Sequence, residues 1–196
     1  MDAPAAKIES RPRRLQVILA EAGLTSRRKA EAWIAAGRVS VDGEIVRRQG
    51  LCLDAAGHDI RVDGRPLPSP PPVGVWKLHK PVGVTCTLED RHARRTLRDL
   101  WGSEGDRLGL RPVGRLDRDS RGLLLLSNDG ELTHRLTHPR YAVRRVYEAT
   151  LAGPLHAGLL PILTAGVEID GRRARPEAVE VLRHEPATTV VRIVIC

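Results

Sequence analysis

Residues 113–130 read VGRLDRDSRGLLLLSNDG and divide into a charged half and an apolar half. The charged half holds three arginines and two aspartates: Arg115, Asp117, Arg118, Asp119 and Arg121. The apolar half is a run of four leucines followed by turn-forming residues. This pattern predicts a strand buried on both faces, although a buried helical segment gives the same pattern. A polar loop that leads into a buried element is a common place for catalytic side chains.

The charged half has two interpretations. If residues 115–121 are extended, alternate side chains share one side, which would bring Asp117 and Asp119 together with Arg115 and Arg121. Neighbouring cations favour the ionised form of a carboxyl group. These residues therefore predict either a catalytic carboxylate or a structural cluster of ion pairs, and alone they do not separate the two.

Composition limits the class of protein. The formal net charge of the 196-residue chain is +8, which predicts an anionic partner. The three cysteines have neither CxxC spacing nor a Cys/His metal pattern, so neither a disulfide framework nor a metal site is expected. No apolar run approaches the roughly 20 residues that cross a bilayer, and no signal-peptide core is present. We expect a soluble, cytoplasmic protein with no membrane partner.

Two short helices are predicted near the N-terminus. Apolar residues recur at helical spacing over residues 15–22. A second helix is expected from an N-cap at Thr25 or Ser26 to a stop at Gly37. Residues 1–10 carry no periodicity and are expected to form a flexible tail.

Hairpins and a linker follow the helices. Two Asp-Gly pairs, at residues 42–43 and 63–64, lie between short alternating runs and predict β-hairpins. Five prolines among residues 66–72 predict a stiff linker. We therefore expect a first domain at residues 11–65 and a second at residues 73–196.

Positive charge is concentrated in the first turn of the second predicted helix, at Arg27, Arg28 and Lys29. The helix dipole disfavours cations there by roughly 0.3 to 1 kcal/mol each. Free backbone N–H groups and three cations are together suited to bind a phosphate. A solvated basic face is the alternative. Other arginines expected on this surface are Arg11, Arg13, Arg14, Arg47 and Arg48.

The second domain is predicted to combine strands and helices. Strands are expected at residues 75–78, 145–150, 179–182 and 189–195, and a helix is expected at residues 131–136. The basic segment 91–98 is expected to be helical up to Trp101.

Residues 15–48 contain a Thr-Ser-Arg-Arg-Lys-Ala helix start and a Val-Ser-Val-Asp-Gly hairpin. This region resembles the small αL-type RNA-binding domain shared by a small-subunit ribosomal protein, tyrosyl-tRNA synthetases and several RNA-modifying enzymes. In that family the paired helices and the hairpin present a basic face to structured RNA. The resemblance implies RNA contacts by Arg14, Arg27, Arg28, Lys29, Arg47 and Arg48.

Three further motifs occur in order along the second domain. They are Lys80-Pro81-x-Gly83, Gly114-Arg-Leu-Asp117-x-x-Ser-x-Gly-Leu-Leu-Leu-Leu-Ser-Asn-Asp-Gly130 and Arg145-Val-Tyr147. Their order and spacing resemble the RsuA/RluB group of pseudouridine synthases. The resemblance implies an α+β fold, in which a small αL-type RNA-binding domain precedes a mixed, mainly antiparallel β-sheet catalytic domain with flanking helices. It also implies isomerisation of specific uridines of ribosomal RNA, in particular of the large subunit, without cofactor or metal. We expect a monomer.

The resemblance assigns roles to individual residues. Asp117 matches the essential aspartate, which acts at the ribose C1′, at the uracil C6 or on an intermediate. Tyr147 matches the tyrosine that packs on the flipped base, and Arg115 is placed to pair with Asp117. Asp119 is expected to be structural, and Lys80 is expected to contact RNA. From the residues alone, a solvated Lys80 and a Tyr147 at the edge of the core remain alternatives.

The sequence departs from the family pattern at its C-terminus. The family continues past the strand that residues 190–195 resemble into a Gly-Arg-x-x-Gln-Val-Arg-Arg-type motif, which this sequence lacks. We therefore expect a truncated catalytic domain. A non-catalytic RNA-binding protein that has lost turnover is the alternative function, whereas a plain basic structural protein would not explain the stretch around Asp117.

Overall fold

A computed structural model describes residues 12–90, 92–156 and 158–196 of the chain. The predicted tail at residues 1–10, Arg11 and Arg91 lie outside the described residues. Contacts between Cα atoms divide the chain into two compact units, Met1–Thr133 and His134–Cys196. The predicted domain boundary at the proline-rich linker stays a prediction.

The described residues form five α-helices and fourteen β-strands. The helices are α1 (Leu15–Glu21), α2 (Arg27–Ala35), α3 (Arg98–Arg107), α4 (Gly130–Thr137) and α5 (Leu159–Ala165). The strands are β1 (Arg13–Arg14), β2 (Val39–Val41), β3 (Glu44–Ile45), β4 (Cys52–Leu53), β5 (Ile60–Val62), β6 (Arg65–Pro66), β7 (Val75–Lys80), β8 (Arg111–Val113), β9 (Gly122–Ser127), β10 (Arg145–Ala152), β11 (Val167–Ile169), β12 (Arg172–Ala174), β13 (Ala178–His184) and β14 (Thr188–Ile195). The predicted α+β class is confirmed.

The N-terminal helices share an apolar core with a four-stranded antiparallel sheet of order β3-β2-β5-β6. The core side chains are those whose helical or alternating spacing directs them to one face. They are Leu15, Ile18, Leu19, Ala30, Ile34, Val39, Leu53, Ile60 and Val62. Both predicted helices are confirmed, and Ser26 is the N-cap of α2 because its hydroxyl accepts a hydrogen bond from the Lys29 backbone N–H at 3.3 Å.

Both predicted hairpins are confirmed. The turns between β2 and β3 and between β5 and β6 place Asp42 at φ 53° and Asp63 at φ 48°, the left-handed conformation that tight hairpin turns require. A third hairpin joins β11 to β12 through Asp170, at φ 50°, and it was not predicted although it carries the same Asp-Gly signal. Pro66 lies in β6, an edge strand of the sheet, where its missing N–H breaks no ladder.

The four-leucine run forms β9, the central strand of an antiparallel sheet of order β7-β9-β8. Leu124 and Leu126 are buried with Val84, Leu97 and Leu110, whereas 66% of Leu123 is exposed. The predicted strand is therefore confirmed, but its predicted burial on both faces is wrong. Alternate side chains of a strand point to opposite faces, and in this sheet only the face of Leu124 and Leu126 is fully buried.

The helix predicted from residues 91–98 up to Trp101 is confirmed only over residues 98–101 and is wrong over residues 92–97, because α3 begins at Arg98. Residues before it pair with residues 85–87: the Thr85 N–H donates to the Arg95 carbonyl at 3.0 Å, and the Leu97 N–H donates to the Thr87 carbonyl at 3.1 Å. These bonds use backbone groups that a helix would need internally.

The second unit contains an antiparallel sheet of order β10-β14-β13 together with α5 and the β11–β12 hairpin. The strands predicted at residues 145–150, 179–182 and 189–195 are confirmed as β10, β13 and β14. α4 confirms the helix predicted at residues 131–136. None of the helices that the structure describes is long and apolar enough to cross a membrane.

Candidate active site and RNA-binding face

The charged loop between β8 and β9 is a turn rather than an extended segment. The Ser120 N–H donates to the Asp117 carbonyl at 3.1 Å, which closes a turn over residues 117–120 and interrupts the expected alternation of side chains. Gly114 at φ 81° and Gly122 at φ 133° flank the loop. Residues with side chains rarely adopt these backbone angles, so the glycines allow the loop to leave β8 and enter β9 sharply.

The charged side chains of this loop point into solvent. Asp117, Asp119 and Arg115 are all exposed. Within the part of the chain that the structure describes, neither aspartate forms an ion pair, and Arg115 does not pair with Asp117. The cluster of ion pairs that the sequence allowed is therefore not formed among these residues, and the Asp117 carboxylate is open to an incoming ligand.

The backbone of the loop is held from the inside by Lys80, the last residue of β7. Lys80 is 0% exposed. Its ammonium nitrogen lies 2.7 Å from the Ser120 carbonyl oxygen, 2.9 Å from that of Asp117, 3.2 Å from that of Arg118 and 3.1 Å from that of Pro81. One cation thus binds the carbonyl groups of three residues of the loop.

This arrangement gives Lys80 a role different from the predicted one. An ammonium group donates three hydrogen bonds, and here four carbonyl oxygens share them, with no carboxylate as counter-ion among the described residues. Burial of an unpaired charge is costly unless polar groups replace its water, and the carbonyl dipoles do so. The prediction that Lys80 contacts RNA is wrong in this structure, and so is the solvated alternative, because no part of the side chain reaches the surface.

Two further contacts fix the loop, and the sequence had not indicated either. The Gly83 N–H donates to the Arg118 carbonyl at 2.8 Å. The Leu116 N–H donates to the Cys86 sulfur, and the N–S distance is 3.3 Å. Gly83 belongs to the Lys80-Pro81-x-Gly83 motif, which was the available signal, but nothing local in the sequence pairs it with a residue 35 positions away.

The first turn of α2 presents the predicted basic residues to solvent. Arg27, Arg28 and Lys29 are exposed and form no ion pair with any described residue. The Arg27 guanidinium lies beside Gly130, where an added Cβ would be 2.9 Å from a guanidinium nitrogen. The turn therefore combines three cations that no carboxylate neutralises with the free N–H groups of a helix start.

The other predicted RNA contacts are distributed around this domain. Arg14 is exposed in β1, and Arg48 is exposed in the loop after β3. Arg47 is also exposed, but its guanidinium donates to the Ala35 carbonyl at 3.2 Å, at the C-terminal end of α2. Arg47 thus satisfies a helix-end carbonyl at the opposite end of α2 from Arg27.

Tyr147 lies in the second unit, at the third position of β10 opposite Ile193 of β14. Its side chain is half-buried. Its hydroxyl has no hydrogen-bond partner among the described residues, so the alternative of a bonded tyrosine at the edge of the core is not supported there.

In the same described part of the chain, no group of three or more His, Cys, Asp or Glu side chains could hold a metal ion.

Comparison with known proteins gives two family matches. Residues 74–196 match the RNA pseudouridylate synthase family, and residues 13–54 match the S4 domain. The second match covers α1, α2 and the β2–β3 hairpin, and the first covers both the Asp117 loop and β10.

Individual relatives agree with these matches. An uncharacterized RNA pseudouridine synthase of Mycobacterium tuberculosis is 40% identical over 197 aligned residues, which span all of this chain and 77% of the relative. The ribosomal large subunit pseudouridine synthase B of Bacillus subtilis is 34% identical over 93% of this chain and 74% of that protein. A crystal structure of a pseudouridylate synthase superimposes with a TM-score of 0.58 at 26% identity, over 93% of this chain and 76% of that one. The chain therefore belongs to the RNA pseudouridylate synthase family and carries an N-terminal S4 domain.

Proposed function

We propose that this protein isomerises specific uridines of ribosomal RNA, and that its target lies in the large subunit. Support for the large subunit comes from the Bacillus subtilis relative, whose name states that substrate. The S4 domain supports an RNA substrate in general. A cytoplasmic location and a monomeric state stay predictions.

The observation that carries the proposal is the exposed carboxylate of Asp117 on a loop with a fixed backbone. The reaction breaks the bond between the ribose C1′ and the uracil N1, forms a bond from C1′ to C5 and replaces the proton lost from C5 with one gained at N1. In the proposed mechanism Asp117 reacts as the ionised carboxylate, at C1′ or C6 or as the acceptor of the proton that C5 loses. Each role needs an ionised carboxylate that the RNA can reach and that is held at a constant position. Asp117 is exposed, and the contacts of the loop with Lys80 and Gly83 favour the constant position.

The remaining proposed roles concern the RNA. A uridine must leave its stack before its glycosidic bond can be reached, at a cost of a few kcal/mol. An aromatic platform offsets part of this cost, which is the role we assign to Tyr147. Arg27, Arg28 and Lys29 are assigned to phosphates of the flanking RNA, where their charge contributes affinity without reading the base sequence.

Turnover is tested with ribosomal RNA that lacks the modification. Wild-type protein is incubated with this RNA, and pseudouridine is mapped by carbodiimide modification and primer extension. Asp117→Asn is expected to abolish product while RNA affinity stays nearly unchanged, because the amide keeps the shape of the carboxylate without its charge. Asp119→Asn is the matched control, since Asp119 lies in the same turn and is also exposed; it should retain product formation.

Two outcomes would overturn the assignment. Product from Asp117→Asn would exclude Asp117 as the reactive group. RNA binding by the wild-type protein without any pseudouridine would instead favour a non-catalytic RNA-binding protein, and product that maps only to small-subunit RNA would contradict the proposed target.

A further inference from the structure

A basic, aromatic segment runs from within α4 to the start of β10. Residues 132–147 contain four arginines, two histidines and both tyrosines of the chain, but no Asp or Glu. The chain has no phenylalanine and only three tryptophans. A concentration of aromatic and basic residues in one short segment is typical of surfaces that bind single-stranded nucleic acid.

The structure brings four of these side chains together. The ring centroids of His134 and His138 are 4.8 Å apart, and the Tyr141 ring meets them edge-on at 5.8 Å and 6.4 Å. The Arg140 guanidinium lies over the Tyr141 ring, 4.5 Å from its centroid, and donates to the Tyr141 hydroxyl. We call this group, His134, His138, Arg140 and Tyr141, the His–Tyr cluster.

The His–Tyr cluster is on the surface and has a fixed backbone. His134, His138 and Arg140 are exposed, and so is 39% of Tyr141. The Arg140 N–H donates to the His138 ring at 3.2 Å, and the Tyr141 N–H donates to the His138 carbonyl at 3.1 Å. Aromatic side chains usually pack together to fill a core, but an exposed group contributes little to one. These two hydrogen bonds hold the turn and the His138 ring in place, which lowers the cost of ordering them on binding.

The charge of Arg140 is available to a ligand. Arg144, a few residues further on, is paired with Glu177, whereas Arg140 forms no ion pair with any described residue. A cation next to exposed aromatic rings complements a ligand that offers both an anion and a flat ring. A nucleotide offers both, since its base stacks on aromatic rings and its phosphate binds arginine. An acidic peptide would offer only the charge.

We propose that the His–Tyr cluster is an RNA-docking surface, which stacks one unpaired base on its aromatic rings and binds the adjacent phosphate through Arg140. The proposal rests on the proposed function, since it names a second place at which the same RNA is held. It concerns the second unit alone and requires no particular position relative to Asp117.

The test measures binding of two probes to the full chain by fluorescence anisotropy. One probe is a single-stranded oligouridine, and the other is an abasic strand of equal length, which keeps the phosphates but has no bases. Tyr141→Leu is expected to weaken oligouridine binding about tenfold and to leave binding of the abasic strand unchanged. Tyr141→Phe keeps the ring and should bind oligouridine like the wild type.

Arg140→Gln should weaken binding of both probes and lower the slope of log affinity against log salt by about 1. Arg172→Gln is the matched control, because Arg172 is exposed in the same unit and forms no cation–π contact with a described residue; it should change neither quantity. Thermal melting of every variant reports any general loss of folding.

The results separate the possible failures. Unchanged oligouridine binding by both Tyr141→Leu and Arg140→Gln would overturn the docking surface, whether or not the protein forms pseudouridine. If Tyr141→Leu melts lower and binds both probes equally weakly, the His–Tyr cluster is a structural element, and the proposal is likewise wrong. If the variants behave as expected but the wild type makes no pseudouridine, the docking surface stands and the proposed activity fails.

Discussion

Two basic regions of the first unit, both predicted to contact RNA, have opposite environments. Arg27, Arg28 and Lys29 stand in the first turn of α2 with their charges in solvent. Lys80 ends β7 with its ammonium group enclosed by four carbonyl oxygens of its own chain. The first region offers its charge to a ligand, whereas the second uses its charge to shape a loop.

This difference shows when the positive charge of a residue indicates an anionic partner and when it does not. A cation is strongly hydrated, and a protein that buries one must replace the lost water with oxygen ligands. Around Lys80 those ligands are backbone groups, which exist at every residue and leave no trace in the sequence. The positive charge of a residue therefore predicts an anionic partner only when the residue is exposed.

The largest expected effect is on stability and comes from Lys80→Met. This change keeps the length of the side chain but leaves the Pro81 and Ser120 carbonyl groups without their donor, and each unsatisfied group costs about 1 to 3 kcal/mol. We expect the free energy of unfolding to fall by about 3 kcal/mol, measured by urea denaturation.

Lys77→Met is the matched control for Lys80→Met. Lys77 lies on the same strand and is exposed, so its loss should change the free energy of unfolding by no more than about 0.5 kcal/mol. Equal effects of the two substitutions would mean that the buried ammonium group contributes no more to the free energy of unfolding than an exposed one does.

The second effect is on RNA affinity and comes from replacing Arg27, Arg28 and Lys29 together by Gln. If each neutralises one phosphate, the slope of log affinity against log salt should fall by about 2 to 3. Stability should stay the same or rise slightly, because cations at a helix start are unfavourable.

The double substitution Arg107→Gln with Arg183→Gln removes exposed charges elsewhere and is expected to leave the slope close to that of the wild type. An unchanged slope in the triple variant would exclude this turn as a contact.

The smallest effect concerns the cap that supports the exposed cations. Ser26→Ala removes the acceptor of the Lys29 N–H and should lower the free energy of unfolding by about 1 kcal/mol. Ser69→Ala provides the comparison, since Ser69 is exposed in the segment between β6 and β7 and begins no helix. A melting temperature that does not distinguish the two variants would show that the 3.3 Å contact of Ser26 is too weak to matter.

Local signals in the sequence were sufficient for much of the fold. The hairpins at Asp42 and Asp63 and the N-cap at Ser26 depend on residues within a few positions of one another. The third hairpin, at Asp170, has the same signal and could have been predicted in the same way.

The candidate site was predicted less completely, because its contacts are distant in sequence. Asp117 and the strand that follows it were identified, but the sequence did not indicate the turn at residues 117–120. That turn is bound by Lys80, 37 positions before Asp117, and by Gly83. Nothing local in the sequence indicates that the carbonyl groups of this loop enclose the Lys80 ammonium group.

The single ammonium group of Lys80 also determines how the loop can move. The carbonyls of Asp117, Arg118 and Ser120 share one cation, so no one of them can turn away without weakening the solvation of a buried charge. The loop should therefore behave as a rigid, cooperative body, unlike the mobile lids that close over many substrates. Conformational adaptation would then fall to the RNA, which must deform to bring a uridine to a carboxylate that does not move towards it.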